Sequence, residues 1–172
     1  LRETMLLRGD VDAITGFVFT SLLNLNRGGA KDEDIDIMMY PKYGVDLYSN
    51  AIIVSEPFLK EKPEAVRGFL RAMAKGVRDV LADPDGAIRY VKERDALIDE
   101  ALERKRMRLA IDGTIVTPTV KADGIGDIQP KRFADMITQV SAAFELKNPV
   151  KPEQVWNGSF LPPKAERMVA PK

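Results

Sequence analysis

The chain has neither histidine nor cysteine, which narrows the chemistry open to it before any motif is sought. Histidine is the commonest general base near neutral pH and the commonest metal ligand. Cysteine would bring a thiolate nucleophile, a zinc ligand or a disulfide framework. Enzymes built on carboxylates, lysine or tyrosine stay open, but the case for catalysis is weakened, and no cofactor or metal is expected. The residues that stand out are of another kind: Thr15, Phe17, Phe19, Tyr40, Tyr43, Tyr48 and Asn50. Most fall at expected strand ends and turns, away from amphipathic helix faces. Aromatic walls with a few polar groups are what small-molecule clefts use. Ordinary packing uses the same side chains, and periodicity alone does not separate the two readings.

The remaining motifs have plainer explanations. Gly124-Ile125-Gly126 lacks the third glycine of a dinucleotide fingerprint and reads as a loop pair. Asp32-Glu33-Asp34-Ile35-Asp36 opens like a calcium loop, yet its sixth position is Ile37 and its twelfth Tyr43, where glycine and glutamate are needed. It reads as a solvated acidic turn. Arg104-Lys105-Arg106 with Arg108 is a basic cluster late in an expected helix, where cations favour the negative end of the helix dipole. Asn157-Gly158-Ser159 is a formal glycosylation sequon, and Arg8-Gly9-Asp10 resembles an adhesion tripeptide whose glycine already serves to end a helix.

Composition agrees with a binding role. Apolar residues make up 45% and charged residues 30%, as in ordinary globular domains. Lys plus Arg is 26 and Asp plus Glu is 26, so there is no basic excess to hold nucleic acid, and no nucleic-acid partner is expected. No apolar run reaches the roughly 18 residues of a membrane span.

The elements that would carry these residues are expected as follows. Leu1 to Arg8 is helical and ends at Gly9; it reads as the last turns of a helix already under way, so the chain is expected to start inside a larger protein. Strands are expected at Val11–Ile14, Ile35–Met39 and Ala51–Val54, the last because it is apolar and mostly β-branched. Phe17 to Leu25 has helical spacing up to Gly28-Gly29. Val66, Phe69, Leu70, Met73, Val77, Val80 and Leu81 define the clearest amphipathic helix, opened by Pro63 and closed by Asp83-Pro84. Helices near Gly86–Arg94, Leu97–Ile111 and Pro130–Glu145 follow, then a proline-rich tail. The sum is an α/β chain with early strands and late helices.

In this order the segments resemble a known family. Leu7-Arg8-Gly9-Asp10-Val11-Asp12-Ala13 with an aromatic-rich helix start, Tyr43-Gly44-Val45, Asn50-Ala51-Ile52-Ile53-Val54-Ser55, Phe58-Leu59 and Lys62-Pro63-Glu64-Ala65-Val66-Arg67-Gly68-Phe69-Leu70-Arg71-Ala72 carry the likeness. So do Asp83-Pro84, Gly124 to Ile128 with Arg132, and Val155-Trp156 with Phe160-Leu161-Pro162. They are similar to substrate-binding proteins that serve importers of thiamine pyrimidine precursors, aliphatic sulfonates, taurine and nitrate.

The resemblance implies a type II periplasmic-binding-protein-like α/β fold, two lobes with a mixed sheet, here a fragment lacking the N-terminal half. Residues 1–47 would end lobe II and 48–172 would return to complete lobe I. A small organic or anionic molecule would be captured between lobes and passed to the transmembrane subunits of an ABC permease, outside the cytoplasm. A fragment would expose apolar surface and self-associate. Carried over by position, the likeness places Thr15, Gly16, Phe17 and Phe19 at the ligand, on a helix N-terminus presenting free N–H groups. Tyr43, Tyr48 and Asn50 lie at the return crossing. Two other functions compete: an enzyme like the thiamine-pyrimidine-precursor synthases of the same superfamily, which use a histidine and a cysteine-rich motif, and a periplasmic sensor module.

Overall fold

The computed structural model describes residues 1–169. Its helices are α1 (Arg2–Leu7), α2 (Val18–Arg27), α3 (Glu56–Glu61), α4 (Pro63–Ala82), α5 (Pro84–Arg94), α6 (Glu100–Ala110), α7 (Pro118–Asp123), α8 (Pro130–Ala143), α9 (Pro152–Val155) and α10 (Lys164–Arg167). Short 3-10 turns cover Asp32–Asp34, Tyr40–Tyr43 and Gly158–Phe160, and a π-helical turn, Ile111–Ile115, continues α6.

Several helix boundaries follow from local chemistry. Gly9, at φ 73°, lies just past α1; its N–H donates to the Leu6 carbonyl and that of Asp10 to Met5, the paired bonds of a Schellman motif. Asp83 caps α5 by accepting from the Gly86 N–H, and Asp99 caps α6 by accepting from Ala101 and Leu102. Pro63, Pro84 and Pro130 occupy first helical positions, where the missing N–H costs nothing.

The expected sheet does not exist: among the described residues there is no strand, so the chain is all-helical with irregular connections, and the α/β two-lobed mixed-sheet expectation is corrected. Val11–Ile14, Ile35–Met39 and Ala51–Val54 form no ladder. Part of this backbone is extended, as Ile35 (φ −122°, ψ 114°) and Met39 (φ −74°, ψ 120°) show. Extension alone is not a strand, which exists only as a hydrogen-bonded pair with a neighbour. The β-branched run that promised burial is open to solvent, with Ile53 91% exposed. β-propensity records how well a side chain suits a pleated, half-buried surface, and here no such surface is formed.

The chain divides into two compact units. Unit 1 comprises Leu1–Ile37 and Asp79–Pro118. Its interior is Leu23 and Leu25 of α2, Ala87 and Ile88 of α5, and Ile111. There α6 packs against both α2 and α5. Unit 2 comprises Met38–Arg78 and the chain from Thr119 onward. It buries Val66, Ala74, Phe133, Val169 and the Arg167 side chain. On α4, Val66 is buried but Phe69 and Met73 of the expected apolar face are exposed. Phe144, inside the expected helix Pro130–Glu145, follows α8 as its C-cap and is 74% exposed.

Candidate functional site

Four of the predicted site residues, Thr15, Gly16, Phe17 and Phe19, belong to unit 1, and Tyr43, Tyr48 and Asn50 belong to unit 2. In unit 1 the connection before α2 is irregular, and Phe17 is the N-cap of the helix with extended backbone and no capping side chain. A phenyl ring cannot accept from the first-turn N–H groups; that of Thr20 donates to the Phe17 carbonyl at 2.9 Å, and those of Val18 and Phe19 have no partner among the described residues. The Phe17 and Phe19 rings stack at 5.1 Å with an interplanar angle of 18°. Offset stacking of this kind contributes on the order of 1 kcal/mol beyond area burial. Phe17 remains 40% exposed, whereas Phe19 is half-buried. Thr15 is exposed and its hydroxyl makes no hydrogen bond.

Gly16 has a packing reason for being glycine. A Cβ there would meet the Ser21 Oγ at 2.2 Å. The nearly buried Ser21 hydroxyl donates to the Glu3 Oε1 at 2.8 Å, tying α2 to α1. Hydrogen bonding from its own backbone N–H, and then from Ser21, holds the Glu3 carboxyl below the ordinary glutamate value. Arg106 of α6 braces the same helix start: its Nη1 donates to the Phe19 carbonyl at 2.8 Å while its Nε is shared by both Glu103 oxygens at 3.1 Å.

In unit 2, Tyr48 is the most constrained of the predicted residues. The Arg132 guanidinium lies over its ring, 4.1 Å from the centroid, and Phe133 meets it edge-on at 6.1 Å. The Tyr48 hydroxyl accepts from the Gln129 N–H at 2.8 Å, and the Tyr48 N–H donates to the Met136 Sδ at 3.2 Å. Tyr43 closes the Tyr40–Tyr43 turn and is exposed, as is Asn50, whose side chain makes no hydrogen bond. The structure thus joins Phe17 to Phe19 and fastens Tyr48 to α8, and it leaves Thr15, Tyr43 and Asn50 without side-chain hydrogen bonds among the described residues.

The basic cluster carries no spare charge at three of its arginines. Arg104 pairs with Glu100, Arg106 with Glu103 and Arg108 with Asp85. Arg104 and Arg108, with Lys105, Leu109, Asp85 and Asp112, line an open surface groove of about 500 Å³ in unit 1 that holds none of the predicted site residues. The acidic turn at Asp32–Asp34 is exposed; Asp32 accepts from Asn26 and Asp34 from the Lys31 N–H. No cluster of His, Cys, Asp or Glu able to hold a metal occurs among the described residues.

Sequence reasoning missed Arg106 and Arg132 as supports of the predicted residues. Arg132 was detectable, because it sits in the first turn of α8, where the helix dipole disfavours a cation and some other contact must retain it.

The family model described as NMT1/THI5 like matches residues 2–87, a stretch that holds every predicted site residue. The chain belongs to this family. It is also similar to a riboflavin-binding protein, RibY of Chloroflexus aurantiacus, with 30% identity over 121 residues covering 68% of this chain and 34% of that protein. The chain therefore spans about a third of the length of the curated relative it matches. No solved structure matches it.

Proposed function

We propose that this NMT1/THI5-like chain is part of an extracytoplasmic solute-binding protein that captures a small organic molecule bearing a flat aromatic ring and hands it to an ABC permease. The observation that carries the reading is the likeness to a protein named for riboflavin binding. The exposed Phe17 ring, backed by Phe19, supports it, since an exposed aromatic face of this kind suits stacking on a planar heterocycle. The open N–H groups of Val18 and Phe19 at the start of α2, with Thr15, are groups of unit 1 that could orient ring carbonyls, and Gly16 is kept there for close packing. Tyr43 and Asn50 are an exposed ring and an exposed polar group of unit 2.

The protein acts by binding and not by catalysis. The synthase-like alternative depends on histidine and cysteine, and the chain has neither. The carboxylates with a displaced pKa, Glu3 and Glu100, are held down by hydrogen bonds and so stay ionised, the opposite of a general acid. No helix among the described residues is long and apolar enough to cross a membrane.

The test is a titration of the full-length protein with a panel of four compounds: riboflavin, followed by quenching of its fluorescence, and cytosine, taurine and nitrate, followed by calorimetry. Riboflavin or cytosine is expected to bind and taurine and nitrate to fail. Phe17→Ala should weaken binding by about 1 kcal/mol through lost stacking. Asn50→Ala should cost roughly 1–3 kcal/mol by leaving a ligand group unpaired. Phe144→Ala, at an exposed position beyond α8, should leave affinity unchanged. Binding of none of the four compounds, or a larger loss from Phe144→Ala than from Asn50→Ala, would overturn the reading.

A further inference from the structure

We propose that Arg132 and Tyr48 are positioning residues that fasten the Gly44–Tyr48 segment along α8 and thereby set where Asn50 is presented to the solute. The proposal rests on the solute-binding reading above, and it changes the role of Tyr48 from a wall of the site to an anchor beneath it.

The segment follows the Tyr40–Tyr43 turn and has no regular structure of its own, so its backbone groups need outside partners. One face of α8 supplies them. Gln139 donates to the Gly44 carbonyl at 3.0 Å. Arg132 donates from Nη2 to the Leu47 carbonyl at 3.0 Å and from Nε to the Asp46 carbonyl at 3.4 Å, and it pairs with the Asp46 carboxylate at 2.8 Å. Met136 receives the Tyr48 N–H, and the N-cap residue Gln129 donates its own N–H to the Tyr48 hydroxyl. Arg132, Met136 and Gln139 are spaced i, i+4 and i+7, one helical stripe. The contacts descend the helix as the segment advances, from Gln139 at Gly44 to Arg132 at Asp46 and Leu47, and the Tyr48 side chain carries its hydroxyl on to Gln129.

Within this strap Arg132 does what no other residue type could. Its planar fork reaches two consecutive carbonyls and a carboxylate while its face covers a tyrosine ring. Its side chain is 27% exposed, so these contacts are partly withdrawn from water and gain strength accordingly. Tyr48 has its ring face, ring edge, hydroxyl and N–H all engaged, which leaves little of it for a ligand. The next two residues, Ser49 and Asn50, are both exposed, and neither side chain has a partner among the described residues.

The test compares Arg132→Gln, Arg132→Lys and Tyr48→Phe in the full-length protein, by amide hydrogen exchange and by affinity for the four-compound panel. Arg132→Gln should speed exchange at Leu47–Asn50 about tenfold while the middle of α8 keeps its protection. Affinity should fall about tenfold with it. Arg132→Lys keeps the charge but loses the fork, so it should restore only part of either effect. Tyr48→Phe should change affinity less than about threefold, since only the anchor hydroxyl is lost. The proposal is overturned if the strap keeps its protection in Arg132→Gln, if it loosens without loss of affinity, if α8 opens equally, or if Tyr48→Phe alone removes tenfold or more. If the unsubstituted protein binds nothing in the panel, the solute-binding reading fails and takes the positioning role with it. That outcome is distinct from variants that bind as well as the unsubstituted protein.

Discussion

Unit 1 and unit 2 are both helical, yet they close their interiors by different means. In unit 1, α2, α5 and α6 present aliphatic side chains to one another, and Leu23 and Ile88 are each only 1% exposed. Ion pairs of Lys92 with Glu100 and of Arg108 with Asp85 bridge α5 and α6 around that centre. In unit 2 the buried aliphatic residues are fewer, and arginines reach across to backbone carbonyls. Arg67 donates to Ser159 at 2.6 Å, Arg132 to Leu47, and the buried Arg167 to Pro162, Asp123 and Ile125 while pairing with Asp127. The Ile125 N–H returns a bond to the Arg167 carbonyl. Irregular segments cannot satisfy their own backbone groups, so a long side chain with five donors does it for them. Unit 1, packed helix on helix, relies on this less, with Arg106 reaching the Phe19 carbonyl.

The sharpest way to break this contrast is to open a cavity in unit 1. Leu23→Ala removes a fully buried side chain from between packed helices, where the surroundings relax poorly. It should cost about 4 kcal/mol, within the range for buried leucine truncations. Urea denaturation followed by circular dichroism would measure it. A cost under about 1 kcal/mol would mean that the unit 1 interior is loose and that the contrast is false.

The corresponding blow to unit 2 is Arg167→Met, which keeps an unbranched apolar stem and removes every donor. It orphans carbonyls at Pro162, Asp123 and Ile125 and leaves the Asp127 carboxylate unpaired. Breaking one partner of a buried charged cluster should cost about 3 kcal/mol. Local exchange should rise at Asp123–Asp127 before any global change. Indifference to the substitution would show that unit 2 holds together by its apolar contacts after all.

The same contrast explains what could be read in advance. The 3.6-residue periodicity of α4 and the proline and aspartate punctuation placed the helices at 63–82, 84–94 and 130–143 within a few residues, because these signals are local. The Gly9 cap was legible for the same reason. The strands were not, since Ile35–Met39 and Ala51–Val54 show β-propensity without a partner in the described chain, and pairing is not a local property. In the candidate site, Phe17 and Phe19 could be singled out by type and place, but not their stacking. Tyr48 was singled out by type and place as a ligand contact, while its attachment to Arg132 spans 84 positions of sequence, beyond any periodicity.

The smallest expected effect tests a polar tie between α1 and α2 of unit 1, the Ser21 hydroxyl on the Glu3 carboxylate. Because the folded pKa of Glu3 lies below its unfolded value of about 4.3, its ionised form is favoured by folding. The stability it contributes is fully present above the unfolded value and is lost as pH falls through the folded one. Ser21→Ala removes the second of the two hydrogen bonds responsible and should cost about 1 kcal/mol at pH 7. As the carboxyl protonates on acidification, the difference between the two proteins should shrink, so the variant loses less stability between neutral and acid pH. Thermal melts at pH 7 and at a pH well below the glutamate range would measure both differences. A gap that stays constant across that range would mean that Ser21 stabilises α2 by packing against the space Gly16 leaves for it, and not through the charge of Glu3. The α1–α2 contact would then be held by packing, and Arg106 on the Phe19 carbonyl would be left as the tie in unit 1 that resembles those of unit 2.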